Sequence, residues 1–294
     1  MLLRFAVPRV SMLMLAGLAL SLAQARANGP AFTRADGAYY LRFGVSWMSA
    51  TYEYGLDGRR HALFGDSLTY RDAEFGQTDV SLLCEYGLTD WLTGVAQTQL
   101  RTVVREAYYE PSARDTTISA SGLTDIWLGA RMRLLPIESP YHATVTVAWK
   151  APMGSPTQEI PLGTGVADYS LGAAGAVPYN IGVVAGHFQL ATDFRLRNKA
   201  SNEFAYAAEL DIDLGRGFEL RTGLDGIQSL ADFDGDEINR TVVGDRSFTR
   251  WSMGVLLEAD AGLDLGASLA SDIGGRNALV ATTFSLSATW RSVE

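Results

Sequence analysis

The chain has 294 residues, 47% of them apolar, with 30 glycines and a formal charge of −9. Only two lysines occur, Lys150 and Lys199, and no stretch is rich in lysine or arginine, so nucleic acid is not expected as a partner. The single cysteine, Cys84, excludes a disulfide framework within the chain.

At the start, Arg4 and Arg9 accompany an apolar run from Val10 to Leu22, and Ala25-Arg26-Ala27 supplies small residues where a signal peptidase reads. The run is too short for a membrane helix, so residues 1–27 read as a cleaved secretory signal and the mature chain is expected to begin near Asn28. No cysteine follows the run, which argues against a lipid anchor. Losing this segment removes three arginines and no acids, moving the formal charge from −9 to −12. Residues 28–294 contain no linker-like tract and read as one domain.

Beyond the signal the pattern has period two. From Leu123 to Leu135, Ile126, Leu128, Ala130, Met132 and Leu134 share one face, with Asp125, Arg131 and Arg133 on the other. Tyr141, Ala143, Val145, Val147 and Trp149 oppose His142, Thr144, Thr146 and Lys150. Further along, Ala208, Leu210, Ile212 and Leu214 oppose Glu209, Asp211 and Asp213, and Phe218, Leu220, Thr222 and Leu224 oppose Glu219, Arg221, Gly223 and Asp225. The last such segment sets Val280, Phe284, Leu286, Ala288 and Trp290 against Thr283, Ser285, Ser287 and Thr289. A helix would scatter these charges around its circumference, whereas a strand gathers them on one side.

A soluble β-sandwich also alternates, and three further features separate the two. Many segments run to ten or more residues, against about five or six in soluble domains. Their polar faces are charged along the whole length. Aromatics gather near the segment ends (Tyr39, Trp47, Trp91, Tyr141, Trp149, Trp251, Trp290), where interfacial girdles would lie. The expectation is an all-β fold: a transmembrane, antiparallel, up-and-down barrel in the outer membrane of a Gram-negative bacterium, with the lipid bilayer as its surroundings.

An arginine on the lipid face at the bilayer midplane costs about 2–4 kcal/mol, so the charged faces are expected to line the lumen. The lining candidates are Asp125, Arg131, Arg133, Lys150, Asp193, Arg195, Arg197, Glu209, Asp211, Glu219, Arg221, Asp225 and Glu258, with Arg42, Asp79, Glu85 and Arg101 in the same inventory. Interleaved charges of this kind could set a transverse field across an open pore. They could equally meet across the lumen and close it. Cys84 falls on the lipid face with Val80, Leu82 and Tyr86.

Short turns fall at residues 88–90, 136–140, 178–180, 215–217 and 261–262. Other connections fall at 55–74, 106–121, 152–166, 198–202, 230–246 and 273–276. Five short and six other connections join twelve strands, which places both termini and the short turns on the periplasmic side.

Two stretches add a resemblance. Glu85-Tyr86-Gly87-Leu88-Thr89-Asp90-Trp91-Leu92 is a strand running into a tight turn, and Ser121-Gly122-Leu123-Thr124-Asp125-Ile126-Trp127-Leu128-Gly129 is followed by Lys150-Ala151-Pro152-Met153-Gly154. From Phe75 to Leu171 the chain resembles the outer-membrane transporter family named after the meta-cleavage pathway of phenol degradation. Thr124 stands where that family has glycine, and Met153 where it has threonine. The resemblance implies an outer-membrane β-barrel that moves hydrophobic or aromatic compounds.

Signals of chemistry are few. The sequence has no phosphate-binding loop, no His-Glu-x-x-His pair and no Gly-x-Ser-x-Gly elbow, and no cofactor is expected. Asp232, Asp234 and Asp236 alternate in one loop with a glycine between them, a candidate calcium site that lacks the full twelve-residue pattern. His142 and His187 fall on polar faces of different strands, where a hydrolase would need one of them. The leading reading is therefore no enzyme, and a passive channel for small solutes. The alternatives are a plugged structural or surface-interaction barrel working through its outer loops, and an outer-membrane hydrolase. Oligomeric state is not legible.

Overall fold

The computed structural model describes residues 30–65, 70–181, 184–198, 200–230, 245–260 and 262–292. The expected signal segment and the Asp232, Asp234 and Asp236 loop lie outside the described residues.

The strands follow in chain order as β1 (Tyr39–Tyr54), β2 (Arg60–Ala62), β3 (Tyr70–Thr89), β4 (Leu92–Tyr109), β5 (Arg114–Leu123), β6 (Ile126–Arg133) and β7 (His142–Ala151). They continue as β8 (Asp168–Ile181), β9 (Val184–Leu196), β10 (Glu203–Gly215), β11 (Phe218–Ser229), β12 (Ser247–Asp260), β13 (Leu263–Arg276) and β14 (Ala278–Arg291). Each long strand pairs antiparallel with the next, and β14 returns to β1, with Arg42 opposite Thr289 and Trp47 opposite Phe284. Because β5 and β6 both pair with β4 and share one place in the wall, and β2 is a flap on β1, the closed wall has twelve strands. Closure leaves the backbone hydrogen-bonded without a free edge in hydrocarbon.

Side chains sort by parity as the sequence pattern requires. Leu82, Leu100, Leu128, Leu171, Leu190 and Leu224 are exposed on the outside. Tyr39, Tyr86, Trp91, Tyr141 and Trp290 stand outward near the periplasmic ends, and Tyr52, Trp149, Tyr169 and Trp251 toward the other end.

Three local features depart from the sequence reading. The stretch from Leu123 to Leu135, read as one strand, is broken: β5 ends at Leu123 and β6 begins at Ile126. Thr124 N donates to Gln99 O (2.8 Å), while the Asp125 carboxylate accepts from Gly154 N (3.0 Å). Leu123 faces out on an odd number and Arg131 faces in on another, so the break inverts the parity. Above the break β5 pairs with β4 alone among the described strands.

Second, 106–121 is mostly an extended hairpin, with Glu106 opposite Thr117 and only a short 3-10 turn at Glu110–Ser112. β-branched Thr116, Thr117 and Ile118 favour extension. Strands β3 and β4, of 20 and 18 residues, outreach an apolar band of about 25 Å. Their outer parts therefore need no lipid-facing stripe, the signal on which the sequence reading relied. Third, β13 continues through Arg276 and only Asn277, at φ 51, separates it from β14, although the two strands pair with each other only as far as Ser271 opposite Thr282. Asparagine tolerates this left-handed conformation better than most residues.

Leu128 is outward in mid-wall, so Leu128→Arg should lower stability by about 2–4 kcal/mol. A lumen-facing control, Ser268→Arg, should lower it by less, and equilibrium urea unfolding in detergent or lipid measures both.

Candidate functional site

The lumen is the candidate site, and its contents change from one end to the other. At the periplasmic end the chain ahead of β1 turns into the barrel. Phe32 packs its ring on His142 (centroids 4.3 Å apart, tilted) and edge-on to His187 (5.8 Å). The Phe32 carbonyl accepts from Arg131 Nη1 (3.0 Å), and Thr144 Oγ1 donates to Pro30 O. Arg34 donates to Thr93 Oγ1 through its backbone N–H (2.8 Å) and meets Glu85 through its guanidinium (2.6 Å).

The Glu85 side chain is 1% exposed, and its second oxygen pairs with Arg131 (2.9 Å). Asp36 N donates to Asp90 Oδ1 (3.0 Å), Gly37 N donates to Gly87 O (3.0 Å), and Gly87 N donates to Ala38 O (2.8 Å). A Cβ at Gly87 would lie 1.8 Å from Ala35 O, so only glycine permits this approach. Residues 30–38 thus form an internal plug.

At the extracellular end the lumen is apolar. Met48, Ala50, Phe75, Val103 and Ala107 from the wall pack with Leu63 and Phe64 from the β1–β3 connection. Ile160 and Leu162, from the β7–β8 connection, complete the cluster. That connection is pinned from below: Lys150 Nζ meets Asp125 (3.2 Å), Asp168 and Thr164 Oγ1 (2.7 Å). Gly154 abuts Leu162 O and Gly163, where a Cβ would come within 2.9 Å.

Between the ends lie ion pairs, and most join residues directly opposite on adjacent strands. Asp79 and Arg101 (2.8 Å), Arg250 and Asp272 (2.7 Å), Arg195 and Glu203 (3.3 Å), Lys150 and Asp168, and Asp211 and Arg221 (3.5 Å) are all register partners. Arg195 also takes Asp193 (2.9 Å), and Arg197 takes Glu203. Gln189 donates to Asp211 (2.9 Å). Five of these pairs therefore close along the wall, while Glu85 joins Arg131 two strands away and Arg34 of the internal segment. Buried pairs of this kind add little net stability when intact, yet breaking one costs about 3–5 kcal/mol.

The lumen also holds a cavity of about 70 Å³ against a wall of small residues, Gly223, Gly254, Gly266, Ser268, Ser285 and Ser287. Arg42, Arg221, Glu209 and Asp225 bring charge to it.

Two of the sequence candidates lie at the rim. Arg133 donates to the carbonyls of Leu135, Pro136 and Ile137 (3.0 Å each) at the β6–β7 turn. The Glu258 side chain is 50% exposed and pairs with Arg291 (2.9 Å), with Glu219 near the same end bound to Arg221. Sequence reasoning missed Glu203, Asp168, Arg250 and Asp272, which sit at or near strand ends beside expected connections. It also missed the plug, because residues 30–38 carry no alternation, and the inward-facing apolar cluster. Cys84 is half-buried in β3, as an outward residue there should be. Among the described residues, no group of three or more His, Cys, Asp or Glu is placed to hold a metal ion.

No protein-family model matches the chain, and no curated protein matches it. Solved structures do. An outer-membrane channel from Pseudomonas putida F1 is 18% identical and covers 90% of this chain and 98% of its own, with a TM-score of 0.61. The translocator domain of the autotransporter NalP from Neisseria meningitidis is 12% identical, covering 92% and 95%, with a TM-score of 0.50. The transport unit of the autotransporter AIDA-I from Escherichia coli is 9% identical, covering 92% and 96%, also at 0.50. At these identities the likeness is one of fold, and the chain folds as a closed outer-membrane β-barrel.

Gly87→Val should drive residues 30–38 out of the lumen without opening the wall. Trypsin should then cleave after Arg34 in the folded, detergent-solubilised variant and leave that bond intact in the wild type, with mass spectrometry reporting the fragment.

Proposed function

We propose that this barrel is a passive channel for small solutes. The observation that carries the reading is the direction of the ion pairs. Five lumenal ion pairs join register neighbours along the wall rather than across the lumen, and a cavity lined by both charged and small residues remains inside. What fills the two ends is chain: residues 30–38 below, and the β1–β3 and β7–β8 connections above.

Hydrophobic or aromatic compounds are the solute class that the outer half favours. Phe64, Phe75, Val103, Ile160 and Leu162 form a buried apolar cluster across the outer half, surroundings that suit an apolar solute better than a charged one. The motif from Glu85 to Leu92 supports membership of the phenol meta-pathway transporter family, and so the same class. On this reading the protein is not an enzyme: His142 and His187 serve as the seat of Phe32.

The second reading, a plugged barrel working through its outer loops, is favoured by the plug itself. Planar-bilayer recording separates the two. The wild-type mature chain should give small or infrequent steps, and deletion of residues 30–37 should raise conductance several-fold. A deletion variant that folds, as its heat-modifiable gel mobility would show, yet stays silent would leave only the plugged-barrel reading.

A further inference from the structure

Arg42 and Glu209 face the mid-lumen cavity from β1 and β10 and form no ion pair with each other. The Nη1 of Arg42 is buried without a hydrogen-bond partner among the described residues, and so is the Oγ of Ser285 on β14, the strand beside β1. Glu209 is 9% exposed, and its Oε1 is equally unsatisfied. Buried polar atoms are rarely left so in folded proteins. The cavity thus carries two donors without acceptors and one acceptor without a donor. The donors lie by a positive charge and the acceptor on a carboxyl group.

That arrangement defines what would fill it. A purely anionic solute satisfies Arg42 and Ser285 but brings its charge against Glu209 and Asp225. A purely cationic one satisfies Glu209 and meets Arg42 and Arg221. A solute carrying both charges a few bonds apart satisfies all three groups at once. The volume sets the size: about 70 Å³ is under half of the ~150 Å³ of an engineered cavity that takes benzene, which suits a small head group rather than an enclosed ring. The glycines at 223, 254 and 266 keep the facing wall clear.

We infer that the cavity between Arg42, Glu209 and Ser285 is a subsite for small zwitterions of the α-amino acid type. The carboxylate lies on Arg42 and Ser285, and the ammonium on Glu209. This adds a polar solute class to the apolar one. It rests on the channel reading for the solute's route, though not for its binding.

Saturation-transfer NMR on the detergent-solubilised mature chain tests it, with L-alanine as the probe and propionate and ethylammonium as its single-charge counterparts. Alanine should receive saturation at least about fivefold more strongly than either counterpart. Arg42→Gln and Glu209→Gln should each remove most of that signal, and Ser285→Ala should weaken it with the barrel's heat-modifiable mobility unchanged. Equal signals from the three solutes, or a preference for propionate, would overturn the assignment. So would an alanine signal indifferent to the Ser285→Ala change, which leaves folding least disturbed. Conductance recorded on the same preparation keeps the two readings apart. Alanine binding in a silent barrel sinks the channel and keeps the subsite, and conductance without alanine binding does the reverse.

Discussion

A wall closed on itself in hydrocarbon has one inside and one outside, and every inward side chain must settle its charge within a volume that adds no new surface. The register of the strands meets that demand. Asp79 lies opposite Arg101, Arg195 opposite Glu203, Arg250 opposite Asp272, and Lys150 opposite Asp168. Directly opposed residues on neighbouring strands stand about 4.5–5.5 Å apart at Cβ, so each pair closes without reaching across the lumen. Slipping any strand by one residue would turn these charges to lipid and break the pairs together, which fixes register more firmly than backbone bonds alone.

Because neutrality is reached along the wall, what enters the lumen is chain, and two sequence motifs hold it there. In the stretch from Glu85 to Trp91, Glu85 grips Arg34, Gly87 admits the Ala35 carbonyl, and Asp90 takes the Asp36 N–H. In the stretch from Ser121 to Gly129, Asp125 takes Gly154 N and Lys150, and so draws the β7–β8 connection inward to the apolar cluster. The two stretches that look most like a family signature are therefore receptors for the two internal segments. Gly87, Gly122 and the three acids are explained by that task, independently of any solute.

This also explains what could be read from the residues and what could not. Period-two alternation is local, and it gave the fold class, the strand count and the inward face of residues such as Arg131 and Asp193. The broken strand escaped because Thr124 and Asp125 fit the alternation on either side, and only the bonds to Gln99 and Gly154 show the interruption. The inward apolar cluster escaped for the opposite reason. Phe75 and Val103 are 0% exposed, yet they lie on faces that also carry Asp79, Glu85 and Arg101, and nothing local says that Ile160 and Leu162 will fold back to meet them. The plug was hidden because its partners are remote: Phe32 meets His142 and Arg131 about a hundred positions later. The rims were misjudged at Glu258 and Arg133, since alternation assigns a face and carries no information on depth.

The two internal segments differ in how they are tied, and that difference decides which end can open. The β7–β8 connection is anchored at both its strands, fixed by the Lys150, Asp125 and Asp168 cluster, and buried in the apolar core through Ile160 and Leu162. Moving it would expose apolar surface and leave buried charges without partners, both costly. Among the described residues, the chain of 30–38 continues into the wall only at β1. Withdrawing them removes Arg34 from Glu85 while Arg131 stays on the other oxygen, so no carboxylate is left bare. His142 and His187 lose an aromatic neighbour and gain water. The loss is a handful of hydrogen bonds to charged groups, each worth about 1.5–3 kcal/mol, and the register pairs of the wall are untouched. The periplasmic end is therefore the one whose opening the barrel survives.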